Sequence, residues 1–221
     1  MHVLKDYREM SSVVADLVQS EIEGSLNCKL CLPTGSTPLG LYKELINREL
    51  DWDLVTTFNL DEYIINRQHP QSYYSFMKKN FFDKINIKPN SCYFPSRPTL
   101  AYEDIINHFG GIDLCILGIG TNGHIAFNEP GSPFNSRTRV VNLDDGTRSD
   151  NSRFFESFNE VPKQAITMGL ATIMEAKKIV LMANGVHKFK ILNVAMNSGI
   201  NEKVPASVLQ NHNNLEVYYS E

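Results

Sequence analysis

Several side chains along this chain are of types that move protons or hold anions. Asn122, His124 and Glu129 stand together in Gly118-Ile-Gly-Thr-Asn-Gly-His-Ile-Ala-Phe-Asn-Glu-Pro-Gly131. Histidine as a residue type takes up and returns a proton near neutral pH, and a carboxylate or amide bonded to its second ring nitrogen fixes the tautomer and raises its basicity. The set suits proton shuttling. The competing reading, a satisfied structural histidine, is weakened by the glycine before His124 and the proline-broken polar sequence after it. Asp61 lies in Asn59-Leu-Asp-Glu-Tyr63, just past the apolar and β-branched run Leu54-Val-Thr-Thr-Phe-Asn-Leu60. A carboxylate at the end of a buried strand serves as a general base where its surroundings tune it; taken alone, the segment also reads as a solvated acidic loop. Adjacent residues leaving a strand diverge, so Asp61 and Glu62 are expected to serve different roles.

The segment Pro33-Thr-Gly-Ser-Thr-Pro38 is of another kind. Gly35 lets the backbone turn close to a ligand, Ser36 and Thr37 offer hydroxyls, and the amino end of a following helix adds free N–H groups and a favourable dipole. This is a phosphate cradle or an ordinary helix N-cap. It lacks the Gly-Lys-Ser/Thr of a triphosphate-binding loop, so a monophosphate is the better match. Arg153, in Asn151-Ser-Arg-Phe-Phe155, and Lys188, in Asn184-Gly-Val-His-Lys188, could pair with that phosphate or be plain surface cations.

By its letters Gly118-x-Gly120-x-x-Gly123 is a dinucleotide fingerprint, and Asp144 and Asp145 fall about 20 positions further on, where a ribose-binding acid belongs. The fingerprint fails on its helix. Its third glycine should lie in the first turn of a long helix, whereas Pro130 and Gly131 interrupt the chain there. The fingerprint also opens a domain, and this copy sits past the middle of the chain. An NAD-dependent oxidoreductase, which would rest on this fingerprint, is therefore disfavoured.

These loops need elements to place them. Met10, Val13, Val14, Leu17, Val18 and Ile22 recur at helical spacing before Gly24, which predicts a helix over 8–23. Lys29 to Leu32 reads as a strand, Pro38 starts a helix through Ile46, and 54–60 reads as a buried strand. Helices are predicted at 72–84 and 99–109, and a strand at 113–117. After a long polar loop come a helical stretch near 169–176, a strand 178–183, a helix 186–197, a short helix 205–211 and a last strand 215–219. The alternation predicts an α/β fold, with a Rossmann-like open, mostly parallel sheet and helices on both faces, in a single domain over 1–221. In such a sheet the loops after Leu32, Leu60, Leu117 and Ala183 converge at the carboxyl ends of the strands.

With 42% hydrophobic and 21% charged residues the chain has an ordinary globular composition, and a net charge of −4 without a basic block gives no reason to expect nucleic acid. The apolar runs are too short to cross a bilayer and the first residues lack a signal-peptide core, so no membrane association and a cytoplasmic location are expected. Cys28-Lys-Leu-Cys31 has no second pair, and its thiols should point to opposite faces of a strand. Buried free thiols are expected there, with no metal site.

The pieces Leu32-Pro-Thr-Gly-Ser-Thr-Pro-Leu-Gly40, Thr57-Phe-Asn-Leu-Asp-Glu-Tyr63, Ser72-Tyr-Tyr-Ser-Phe-Met77, Gly123-His-Ile-Ala-Phe-Asn-Glu-Pro-Gly131, Ser136-Arg-Thr-Arg139 and Asn151-Ser-Arg-Phe-Phe155, in this order, resemble the glucosamine-6-phosphate deaminases. The resemblance implies conversion of glucosamine 6-phosphate and water to fructose 6-phosphate and ammonia, in amino sugar catabolism, with no cofactor and no obligatory metal. It further implies that His124 opens the pyranose ring with Glu129 and Asn122 supporting its protonation and orientation. Asp61 would take the C2 proton, and Gly35, Ser36, Thr37, Arg153 and Lys188 would hold the phosphate. Some members carry Asp where this chain has Asn122; an amide orients His124 without sharing its charge, so a different pH optimum is expected. Longer relatives extend past the position of Glu221 and form allosteric hexamers, so a constitutively active monomer or low-order homo-oligomer is expected. Sugar-phosphate sensors of transcription regulators share the general fold, but the intact Asp61, His124 and Glu129 favour an enzyme.

Overall fold

The computed structural model describes residues 1–97 and 99–221. In chain order the strands are β1 (His2–Leu4), β2 (Lys29–Leu32), β3 (Thr56–Asn59), β4 (Asp61–Tyr63), β5 (Cys92–Tyr93), β6 (Leu114–Gly118), β7 (Arg139–Asn142), β8 (Gln164–Thr167), β9 (Lys178–Asn184) and β10 (Leu215–Ser220). The helices are α1 (Tyr7–Glu23), α2 (Leu39–Ile46), α3 (Tyr73–Asn80), α4 (Leu100–His108), α5 (Asp145–Asn151), α6 (Leu170–Met174) and α7 (Val186–Asn197).

Successive residues of the central strands are apolar on both faces, which demands cover on both sides. Leu30, Leu32, Leu114, Ile116, Val180 and Met182 meet α1, α2 and α3 in one core. Cys31, Cys115, Leu117, Ile179 and Leu181 meet α4, α6 and α7 in the other. The resulting seven-stranded sheet runs β1-β10-β9-β6-β2-β3-β5, and every pairing in it is parallel. This is the expected α/β arrangement. Cys28 and Cys31 do fall into opposite cores, as buried free thiols.

A second sheet, not expected from the sequence, lies beside the first. The strand expected over 54–60 ends at Asn59, and after Leu60 the chain enters β4, the edge of an antiparallel sheet ordered β4-β8-β7. What reads as a long polar loop after the glycine-rich run therefore contains β7, α5 and β8. These strands are short and half polar, and their partners are distant in sequence, so no local periodicity announces them. The segment 72–84 divides into α3 and a 3₁₀ turn at Phe82–Lys84, and Pro205–Asn211 is 3₁₀ rather than α-helical.

Glu62 joins the second sheet to α3. Its Oε1 accepts the backbone N–H groups of Tyr63 and Tyr73, and its Oε2 that of Tyr74, each at 2.8 Å. It thus satisfies N–H groups that the first turn of α3 leaves without intrahelical partners, while Ser72 caps Ser75 at 3.0 Å. Adjacent carboxylates on β4 have divided as their divergence requires: Glu62 faces the helix and Asp61 does not. Glu62→Ala should cost about 2–4 kcal/mol, because it strands buried N–H donors. Urea denaturation measures this, and a loss below about 0.5 kcal/mol would show that α3 does not depend on the carboxylate.

Candidate active site

At the carboxyl ends of β2, β3 and β6 lies a cleft of about 190 Å³. Its walls include Gly35, Ser36 and Thr37, then Asp61, His124, Arg153 and Lys188. The loops expected to converge do so. Asn122 and Glu129 stand behind this wall and reach the cleft through His124.

The cradle between β2 and α2 is shaped by its backbone. Gly35 has φ +99°, a left-handed conformation suited to glycine. No side chain caps α2, which removes the N-cap reading of Ser36 and Thr37. The N–H groups of Gly35, Ser36 and Thr37 donate to no protein acceptor among the described residues. Tyr7 holds the loop from outside: its hydroxyl lies 3.1 and 2.9 Å from the carbonyls of Ser36 and Thr37 and accepts the Gly40 N–H at 2.6 Å. The loop carbonyls are thus drawn toward α1, and the amide side is left open.

Cations face the same space. Lys188 Nζ donates to the Ile119 carbonyl at 2.9 Å. Burial pulls its ammonium below the ordinary lysine range, with Arg153 adding to this and Asp150 opposing it. The Arg153 guanidinium lies 4.8 Å over the Phe154 ring. Neither cation is bridged to a carboxylate among the described residues, so both can receive an anion.

Asp61 opens β4 and is 6% exposed. Burial pushes its carboxyl well above the ordinary aspartate range, and the neighbouring Glu62 adds to this. Among the described residues nothing donates a hydrogen bond to it. An unbonded, desolvated carboxylate is a stronger base than a solvated one.

His124 is placed by glycine. A Cβ on Gly120 would stand 2.2 Å from His124 Cε1, so the imidazole occupies the space that a side chain there would fill. Gly123, at φ +87°, turns the chain between them, and Gly120 N–H donates to the His124 carbonyl at 2.9 Å. The His124 Nδ1 to Glu129 Oε2 separation is 3.4 Å, and its direction is not that of a hydrogen bond, leaving Nδ1 buried and unpartnered. The contact is therefore a loose one that becomes ionic when the ring is protonated. Burial raises the Glu129 carboxyl, but the neighbouring His124, Thr147 and Asn122 outweigh it and hold it below the ordinary glutamate range.

Asn122 departs from the expectation that its amide bonds the imidazole ring. Its Nδ2 donates to Glu129 Oε2 at 2.8 Å and its Oδ1 accepts the backbone N–H of His124 at 3.1 Å. The reversed amide would oppose donor to donor and oxygen to carboxylate, so this orientation is chemically fixed. Asn122 acts on the carboxylate and the loop, and on the ring only through them.

Buried Asn128 ties the loop to the second sheet: it donates to the carbonyls of Ile125 and Met168 and accepts from Arg139 of β7 at 2.9 Å. Between them Ala126, at φ +50°, is held in a left-handed conformation. Tyr7, Tyr73 and Thr147 also serve the site or its support, and reasoning from the sequence overlooks them. Tyr73 lies within a recognisable motif, whereas nothing local marks Tyr7 or Thr147. No group of three or more His, Cys, Asp or Glu side chains among the described residues is placed to hold a metal ion.

The model of the glucosamine-6-phosphate isomerases/6-phosphogluconolactonase family matches residues 5–218. The chain belongs to that family. A glucosamine-6-phosphate deaminase of Thermoanaerobacter sp. (strain X514) is 47% identical over 224 residues, which cover 96% of this chain and 88% of that one. One of Clostridium novyi (strain NT) is 46% identical over 223 residues, covering 96% and 92%. A solved monomeric glucosamine-6-phosphate deaminase superposes with a TM-score of 0.95 at 37% identity, covering 100% of this chain and 98% of the other. A 6-phosphogluconolactonase of Thermotoga maritima, at 17% identity and a TM-score of 0.81, shares the family's fold.

The raised carboxyl of Asp61 has a thermodynamic consequence for this family member. A group whose folded pKa lies above its unfolded value stabilises the fold fully below the unfolded pKa, and that contribution is lost as pH rises through the folded pKa. Asp61→Asn removes the loss. The variant should therefore melt a few degrees above the wild type at neutral pH, with the gain shrinking toward about pH 4. Thermal unfolding of both proteins across pH checks this; a gain independent of pH, or a deficit at pH 7, would contradict it.

Proposed function

We propose that the chain converts glucosamine 6-phosphate and water to fructose 6-phosphate and ammonia, a hydrolytic, isomerising deamination in amino sugar breakdown, including that of N-acetylglucosamine. The observation that carries this reading is the sharing of one cleft by an open anion cradle, a buried unbonded carboxylate and a histidine backed by a second carboxylate. The phosphate sits on the N–H groups of Gly35, Ser36 and Thr37 and the hydroxyls of Ser36 and Thr37, with Arg153 and Lys188 neutralising it. Its anchoring makes the reacting end of the sugar meet Asp61 and His124 in a fixed orientation.

His124 moves a proton between the anomeric hydroxyl and the ring oxygen, which opens the pyranose to the aldehyde. Glu129 stays ionised to stabilise the imidazolium, and Asn122 fixes Glu129. Asp61 removes the proton from C2, and the electron pair passes into a C1–C2 double bond as the aldehyde oxygen takes a proton. Reprotonation at C1 moves that double bond to nitrogen, giving an iminium at C2. Water adds to C2, ammonia leaves, and the C2 ketone remains.

Both sheets contribute to the one cleft, which supports taking 1–221 as one catalytic domain. The likeness to a monomeric deaminase supports a monomer or low-order homo-oligomer. No described helix is long and apolar enough to cross a membrane, and we place the enzyme in the cytoplasm, where phosphorylated sugars are its small-molecule substrates.

Incubating the protein with glucosamine 6-phosphate should release ammonia and fructose 6-phosphate in equal amounts. Asp61→Asn should lower kcat on the order of 10²–10⁴-fold with KM little changed, whereas Arg153→Ala or Lys188→Ala should chiefly raise KM. Neither product appearing, with sugar-phosphate binding intact, would leave a sensor in place of an enzyme.

A further inference from the structure

Both oxygens of Glu129 are bonded, and by different parts of the chain. Asn122, from its own loop, holds Oε2 at 2.8 Å, the oxygen that also faces His124. Thr147 Oγ1 donates to Oε1 at 2.5 Å. Thr147 belongs to α5, where it is 5% exposed. α5 is itself anchored: Arg148 donates to Asp145 at 3.0 Å and to the carbonyls of Phe158 and Val161 at 3.3 and 3.2 Å. At its far end Asn151 donates to the hydroxyl of Tyr63 at 2.9 Å, on the same strand as Asp61. Arg153 follows directly in a 3₁₀ turn. One short helix thus reaches the carboxylate beside the proton carrier and the strand of the base, and leads into the turn that bears the phosphate cation.

We propose that Thr147 is a positioning residue for ring opening: its hydroxyl, delivered by α5, orients Glu129 toward His124 and so couples the seating of the Arg153 segment to proton transfer. The inference rests on the deaminase reading above. A threonine at this place offers one proton and spends it on Glu129. A carboxylate bonded on one oxygen only can rotate about its last torsion, and the His124 contact, already at 3.4 Å, would loosen. Arg153 lies on the segment that directly follows α5, so a phosphate held there rests on the helix that already holds Glu129 in place.

The surroundings of Glu129 settle the sign of the pH effect. His124, from the glycine-rich loop, is the titratable group in contact with it. On α5, Asp150 is bonded to Thr121 at 3.5 Å and Arg148 turns to Asp145 and the carbonyls beyond. On α7, Lys188 is bonded to Ile119. A donated hydrogen bond favours the ionised carboxylate, so removing it makes Glu129 easier to protonate and raises its titration midpoint; the acid limb of activity belongs to Asp61, whose carboxyl is the one pushed up.

The test compares wild type, Thr147→Val and Thr147→Ser with glucosamine 6-phosphate. Thr147→Val should lower kcat on the order of 10-fold, leave KM within about twofold and raise the midpoint of Glu129 in a carbon-13 NMR titration of the carboxyl groups, and Thr147→Ser should restore both kcat and the midpoint. Unchanged kcat and an unchanged Glu129 midpoint in Thr147→Val would overturn the proposal, as would a serine variant no better than the valine one, which marks a packing role. A raised KM without a shifted Glu129 midpoint would also overturn it. Should Thr147→Val not fold, Thr147→Cys, of similar size and with only a weak donor, is judged by the same criteria. Wild type that releases no ammonia refutes the deaminase reading instead, so the two failures are distinct.

Discussion

A carboxylate buried beside the cleft and bonded to nothing is costly, and the architecture around Asp61 can be understood as the means of keeping it there. Left on the solvated loop that its local sequence also permits, Asp61 would be an ordinary acid. The second sheet prevents this. Asp61 opposes Thr167 of β8, and Leu60, between the two sheets, accepts the Met168 N–H at 2.7 Å. The residue is thereby fixed at the junction of the two sheets, where it is 6% exposed and lines the cleft. Glu62 is prevented from offering a second base because its oxygens are committed to the backbone of Tyr63 and the first turn of α3.

The two carboxylates of the proton machinery are driven in opposite directions. Asp61 lacks donors and is pushed up; Glu129 is equally a product of burial, but donors and the neighbouring imidazole hold it down. Environments that separate the acidities of two like groups divide the roles of proton acceptor and standing anion between them. Asn122 contributes to that division by supplying Glu129 with a donor and the His124 backbone with an acceptor. With an amide in this position, Glu129 is the carboxylate that faces the ring, and no second negative charge from residue 122 competes with it.

Much of this was legible in the sequence, for a physical reason. Strands β2 and β9 are apolar on both faces, and α1 and α7 carry helical spacing, so their types and bounds follow from local pattern. Because parallel strands deliver their carboxyl-end loops to one place, Gly35, Asp61, His124 and Lys188 could be assigned to one cleft before any geometry was known. β4, β7 and β8 were not legible: Asp61–Tyr63 and Arg139–Asn142 are short, polar, and stable only as partners of Gln164–Thr167. The target of the Asn122 amide was equally hidden, since it depends on which acceptors the folded loop presents. Tyr7 and Thr147 reach the site across long stretches of chain and lack any motif.

The central claim is that Asp61 is a desolvated, unbonded base. Carbon-13 NMR titration of the carboxyl groups in ligand-free protein, with Asp61→Asn used to assign the resonance, measures it directly. The account predicts a midpoint for Asp61 well above the ordinary aspartate value of about 4. A midpoint at or below that value would contradict it, since it would show a solvated or hydrogen-bonded carboxylate where the structure places a bare one.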